Sequence, residues 1–179
     1  MSVIAPLPPA AADDPELIGA VTRLVNRVYQ ESEQGLWVDG AARTDAVEVA
    51  AMVRAGELLA AYRDDRLAGV LRLRRWDEVS SEFGMLAADP AVRGTGVGRQ
   101  LVSYAEATAR SRGSLVMRLE LLVPRTFTLA SKEFLAAWYT RLGYRLERVG
   151  RIEELYPDLA PLLATPADFR VYRKPLDRP

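Results

Sequence analysis

The 179-residue chain contains neither cysteine nor histidine. The first absence excludes disulfides, thiolate nucleophiles and Cys-based zinc sites. The second removes the imidazole base and with it any Ser-His-Asp arrangement. No cluster with metal-ligand spacing is visible. Net charge is missing too, because 24 basic and 24 acidic residues cancel. The whole chain therefore carries no electrostatic footprint for nucleic acid. No apolar run approaches transmembrane length. Residues Ser2–Ala12 are apolar and proline-rich but lack the basic start and unbroken apolar stretch of a signal peptide. Together these absences predict a cytoplasmic protein with no nucleic-acid or membrane partner. Residues 1–12 are expected as a flexible tail ahead of one domain, 13–179. Composition supports one sizeable core, since 49% of residues are hydrophobic and 27% charged.

Periodicity supplies the elements. Asp13 or Asp14 with Pro15 opens a first helix whose Leu17, Val21, Leu24, Val25 and Val28 recur at helical spacing to about Glu31. Thr44 is the expected cap of a second helix. Leu58–Arg63 and Leu67–Arg75 read as a hairpin turning at Asp64-Asp65, with Gly69 a bulge or a point of close approach. Glu82–Ala88 continues that meander. A helix from Val97 ends at Gly113, and Leu115–Val123 reads as a central strand. Ser131 is the expected cap of a helix through Leu142 in which Phe134, Trp138 and Leu142 share a face. Tyr144–Val149, a short helix over Ile152–Leu163 and a strand over Phe169–Lys174 complete the chain. The predicted class is α/β, with a mixed sheet flanked by helices. Clustered arginines at 72, 74 and 75, and at 141, 145, 148 and 151, read as solvated faces.

Between the Glu82–Ala88 strand and the Val97 helix lies Val92-Arg-Gly-Thr-Gly-Val-Gly-Arg-Gln100. A strand, a glycine-rich turn and a helix start leave unpaired N–H groups at the positive end of a helix dipole, a setting for phosphate. The spacing fits neither a P-loop nor a dinucleotide fingerprint. An ordinary tight turn is the competing reading.

With its flanks, this run resembles the GNAT superfamily of N-acetyltransferases. The family motif Gln/Arg-x-x-Gly-x-Gly/Ala is matched by Arg93, Gly96 and Gly98, after a strand that ends in Asp89-Pro90. A second motif, Tyr-x-x-x-Gly-Phe/Tyr, is matched by Tyr139, Gly143 and Tyr144. The resemblance covers roughly residues 16–149. It implies the GNAT fold, a mostly antiparallel sheet of about six to seven strands, and acetyl-coenzyme A as cofactor. It also implies direct transfer of an acetyl group to a primary amine of a small molecule or peptide, without a covalent enzyme intermediate. Homodimers are common in the family. The alternatives are a non-catalytic acyl-CoA-binding or sensor domain, transfer of a larger acyl group, or an interaction domain whose turn binds nothing.

Carried over by position, Arg93, Gly94, Gly96, Val97, Gly98 and Arg99 are the expected pyrophosphate residues, the two arginines adding charge-assisted bonds. Leu86 and Ala88 are expected to meet the pantetheine arm through their backbone. Tyr139 matches the tyrosine that protonates the thiolate; an ordinary tyrosine pKa of about 10 keeps it a donor. The competing reading of Tyr139 is a core aromatic beside Trp138. Glu82 stands where some histone-type members carry a general base. Glu120 is a second candidate, because burial in an apolar strand raises a carboxyl pKa. Lys132 replaces an asparagine that many members carry seven residues before the tyrosine, and is expected either on phosphate or at the surface. Tyr29, Glu31, Glu33, Trp37 and Arg125 are expected to line the acceptor pocket, with Glu31 and Glu33 drawing a cationic amine or forming a solvated helix end.

Overall fold

The computed structural model describes residues 2–176. One seven-stranded sheet, β1 (Val3–Pro6), β2 (Leu58–Arg63), β3 (Arg66–Arg75), β4 (Ser80–Ala88), β5 (Val116–Pro124), β6 (Arg145–Arg151) and β7 (Ala167–Pro175), runs in the order β1-β2-β3-β4-β5-β7-β6. Every neighbouring pair is antiparallel except β4 with β5. Among the described residues, five α-helices accompany it: α1 (Pro15–Ser32), α2 (Ala46–Arg54), α3 (Val97–Ser111), α4 (Ala130–Arg141) and the single turn α5 (Ile152–Leu155). Among the described residues, no helix is long and apolar enough to cross a membrane.

Local chemistry starts the helices. The Asp14 carboxylate accepts from the amides of Glu16 and Leu17 at 3.0 and 3.1 Å, with Pro15 in the first turn. The cap of α2 is Asp45, not the expected Thr44; it accepts from the Glu48 amide at 2.8 Å, while the Thr44 hydroxyl donates to the Glu48 carboxylate. Ser131 does not cap α4 either: that helix starts after Leu129, and the Ser131 hydroxyl donates to the Ser32 carbonyl instead.

Strand alternation divides the core. Leu59, Ala61, Leu71, Leu73 and Phe83 pack against α3 and Tyr139 of α4. Leu58, Ala60 and Val70 face the other way, onto α1 and α2. Beyond β5 a smaller cluster of Leu36, Leu122, Ile152 and Ala167 covers the α1 face of the sheet. Within β4 the alternation is broken. Gly84 faces Arg72 and Ala87 faces Val70, so Met85 and Leu86 both stand opposite Leu71. Met85 takes a φ of +49° at this bulge and joins the α1 face, although Phe83, two residues earlier, joins the α3 face. Gly69 beside it is a point of close approach, where a Cβ would meet the Ala87 carbonyl at 3.0 Å.

Three expectations change. Residues 1–12, expected as a flexible tail, carry β1, paired with β2 from Val3↔Tyr62 to Pro6↔Leu59. The helix expected over 152–163 is one turn, followed by an irregular segment with a 3-10 turn at Ala160–Leu162. In α4 the buried side chains are Lys132 and Tyr139, whereas Phe134 is 61% exposed.

Candidate active site

The sheet's one parallel seam is short. β4 and β5 pair only from Ser80↔Val116 to Glu82↔Arg118, although both strands continue for six residues more. Beyond Glu82 and Arg118 they diverge into a fork. The Asp89 amide donates to the Ala68 carbonyl on the β3 side. Because backbone groups alternate along a strand, those of Ala88 and Leu86 turn toward the gap. A bound chain of amides can meet this edge as an added strand would.

At the mouth of the fork the glycine turn shapes an anion cradle. Asp89 accepts from the Ala91 amide at 2.9 Å and pairs with Arg27 at 3.0 Å, fixing the turn's first half. Gly94 and Gly96 then take φ of +79° and +84°, values that side chains with a Cβ rarely adopt. Gly96 caps α3 with no side-chain bond, and the first ladder bond runs from the Gln100 amide to the Gly96 carbonyl. The amides of Val97, Gly98 and Arg99 therefore precede the helical ladder. Arg93 and Arg99 are exposed here. A cavity of about 240 Å³ opens beside the turn, lined by Val28, Glu31, Ser32, Ala88, Asp89, Pro90, Arg93 and Ser131. Gly96→Val should raise the Kd for coenzyme A more than tenfold while the melting temperature falls by roughly 2–12 °C, because a β-branched residue at this φ costs about 1–3 kcal/mol and re-aims the amides. Isothermal titration with coenzyme A checks it.

Tyr139 reaches the apex of the fork from the α4 face. Its ring lies 5.9 Å from that of Phe83, the first β4 residue past the last rung, and contacts Trp138, Tyr144 and Tyr172. Burial pushes its pKa far above the ordinary tyrosine value, with a smaller push from Tyr29. Tyr29 belongs to α1 on the opposite face, under the Arg43 guanidinium at 5.2 Å from its ring. The second motif's Tyr144 is structural: its hydroxyl donates to Glu106 at 2.7 Å, and Lys174 completes the group at 2.8–2.9 Å.

On the α1 face, between the clusters over β1–β4 and over β5–β7, a charged ladder forms the floor. Arg74 donates to Glu82 Oε1 through Nε and Nη2 at 2.9 and 2.6 Å. Arg118 Nε faces Glu82 Oε2 at 3.1 Å, and its Nη2 donates to Glu120 Oε1. The Tyr156 hydroxyl donates to Glu120 Oε2 at 2.5 Å. Trp76 covers the Arg118 guanidinium at 3.6 Å. Burial raises the Glu82 pKa, with the arginines pulling it back. Arg118 and Tyr156 were not foreseen, and Arg74, expected on a solvated face, is instead held by Glu82. The available signal was Arg118, a charge two residues before Glu120 inside an otherwise apolar strand.

The expectation for Lys132 changes most. Its ammonium is buried on Glu33, whose other oxygen accepts from Trp37 Nε1 at 2.5 Å. Lys132 is therefore neither at the surface nor on the phosphate turn, and Glu33 is not a free charge for an amine. Both are consumed in joining the loop after α1 to the first turn of α4. Trp37 packs with the cluster beyond β5, and Arg125 pairs with Glu153 and Asp168. Of the expected acceptor-side residues, Glu31 alone lines the cavity beside the turn.

Residues 54–146 match the profile of the acetyltransferase (GNAT) domain. No curated protein matches the chain. Among solved structures, an aminoglycoside 6′-N-acetyltransferase complexed with coenzyme A aligns with a TM-score of 0.71 at 20% identity over 99% of each chain. The PaiA N-acetyltransferase of Thermoplasma acidophilum in complex with coenzyme A aligns at 0.70 and 16%, covering 98% of this chain and 99% of that one. The ribosomal-protein-S18-alanine N-acetyltransferase of Escherichia coli aligns at 0.66 and 16%, covering 100% and 96%. At such identities the shared property is the fold.

Proposed function

The chain belongs to the GNAT acetyltransferase family, and on that premise we propose that it moves an acetyl group from acetyl-coenzyme A directly onto a primary amine. The observation that carries this reading is the fork: an open β4 edge runs from the glycine turn to an apex with a buried phenol on one side and carboxylates on the other.

The residues present fit coenzyme A. The amides at the start of α3, with Arg93 and Arg99, suit a pyrophosphate, because orphan donors and the helix dipole act on the same anion. The Leu86 and Ala88 backbone suits the amide-bearing arm. The thioester then lies at the apex beside Tyr139, a phenol that burial keeps protonated and able to supply a proton to a departing thiolate. The chain has no thiolate and no imidazole to activate a serine, which supports direct attack over an acyl-enzyme. The amine enters from the α1 face, over the charged floor.

The chemistry of the solved relatives suggests the first acceptors to try: an aminoglycoside, and a peptide with an N-terminal alanine. Glutamate and a polyamine extend the panel. Thiol release from acetyl-coenzyme A, corrected for hydrolysis, should rise with one class. Coenzyme A at one hundred times its Kd should stabilise the chain by about 2.7 kcal/mol, a rise of roughly 5–10 °C in melting temperature. An unmoved melting curve rejects the cofactor site; binding without amine-dependent release leaves a sensor.

A further inference from the structure

We propose that Glu120 is the carboxylate that takes the proton from the acceptor amine, that Tyr156 is the positioning residue that holds it there, and that Glu82 only anchors the arginines. The proposal rests on the acetyl-transfer reading above.

A base acts only if it comes within hydrogen-bond reach of the proton it removes. Glu82 fails this condition, whatever burial does to its proton affinity. Its Oε1 is occupied twice by Arg74. Its Oε2 is sealed from solvent against Arg118 Nε, 3.1 Å away and without hydrogen-bond geometry. Glu82 also lies on the last paired rung, before the strands separate.

Glu120 stands two residues further along β5, past that rung. It takes one bond per oxygen, from Arg118 and from Tyr156. A carboxylate has about four lone-pair positions, so two stay open for an incoming N–H. The charged and titratable groups facing it are Arg118 on its own strand, Glu82 with Arg74 behind it, and Tyr156. Its partner on β7 is Val171, which brings no charge. Tyr156 comes from outside the motifs, in the segment after α5. Its ring is held edge-on against Phe169 at 4.8 Å, and burial with the Glu120 contact keeps its hydroxyl protonated, hence a donor. Across the apex, Phe83 carries the Tyr139 ring. Glu120 and Tyr139 thus stand on opposite faces of the sheet, each beside the start of the fork.

The protons and bonds balance. The acceptor ammonium gives one proton to Glu120, and the freed nitrogen pair forms the C–N bond to the thioester carbonyl carbon. Collapse breaks the C–S bond, its electron pair leaving on sulfur. Tyr139 gives its proton to that sulfur and is reprotonated by the second proton, which the nitrogen loses as the amide forms. Products are the amide, the thiol and the proton on Glu120, which passes to solvent.

The test uses the full chain, acetyl-coenzyme A and the panel amine with the fastest thiol release. Glu120→Gln keeps the size but cannot take a proton; its carbonyl still accepts from Arg118, and its amide donates to the Tyr156 oxygen, which turns from donor to acceptor. Its kcat/KM at pH 7 should fall about 100-fold or more, with coenzyme A affinity unchanged. Its rate should then climb about tenfold per pH unit between pH 7 and 9, as solvent frees the amine, closing the gap on wild type. Tyr156→Phe, which removes one oxygen and keeps the packing, should lower kcat about tenfold with little change in KM or melting temperature. A loss under threefold in Glu120→Gln, the alkaline rescue appearing in Glu82→Gln instead, or a Tyr156→Phe chain altered only in stability each overturns the proposal while leaving acetyl transfer standing. A wild-type chain that binds coenzyme A and acetylates no amine overturns both.

Discussion

Tyr139→Phe should lower kcat by about 10²- to 10³-fold, the range that loss of a positioned proton donor produces, while the Kd for coenzyme A changes less than twofold. The substitution deletes one oxygen and leaves the ring among Phe83, Trp138, Tyr144 and Tyr172, so the helix and its core contacts persist. What disappears is a proton that burial has made hard to remove. The sign gives a second check. A phenol whose pKa is pushed up stays protonated as pH rises, so kcat of the wild type should show no alkaline limb assignable to Tyr139 below about pH 10, the unperturbed tyrosine value. An alkaline limb present in wild type and absent from Tyr139→Phe contradicts the assignment, as does unchanged turnover. Stopped-flow thiol detection across pH 6–10 measures both.

The same residue shows what the sequence alone disclosed. Its motif, the glycine run and the strand before it singled out the turn and the phenol that the structure brings to the two ends of the fork, because those segments are set by local backbone conformation. The positive φ values at Asp64 and Asp65, where a hairpin turn was expected, belong to that class too. Features that need partners distant in sequence were not legible. β1 contains a proline, shows no alternation and forms only by pairing with β2. The bulge at Met85 reverses which side chains meet which face, and no apolar period announces it. The face of α4 was misjudged because Phe134 continues the apolar spacing but ends exposed, while a lysine occupies the buried position. That lysine is buried only because Glu33, 99 residues earlier, meets it. Glu82 and Glu120 were found singly; their different surroundings come from Arg74, Arg118 and Tyr156 on three separate segments.

The buried pair carries the largest stability effect. Lys132 and Glu33 are 4% and 5% exposed, and Lys132→Met leaves the Glu33 carboxylate buried with only Trp37 as donor. Stranding one member of a buried ion pair costs about 3–5 kcal/mol, which for a chain of this size lowers the melting temperature by roughly 6–20 °C. Lys132→Met with Glu33→Gln should recover most of that loss, since glutamine keeps an acceptor for Trp37 and buries no charge. The single variant melting within 2 °C of wild type would show that the charges are not buried together. The double variant also separates structure from ligand binding. If Lys132 only bolts the loop after α1 to α4, beside the bond from Ser131 to the Ser32 carbonyl, the recovered fold binds coenzyme A with near wild-type affinity. If the ammonium instead turns to the cofactor's phosphates, affinity stays more than tenfold weak although the melting temperature has returned. The structure favours the first result, because the ammonium already has a buried counter-charge, and leaving it would strand Glu33 at the cost the single variant measures.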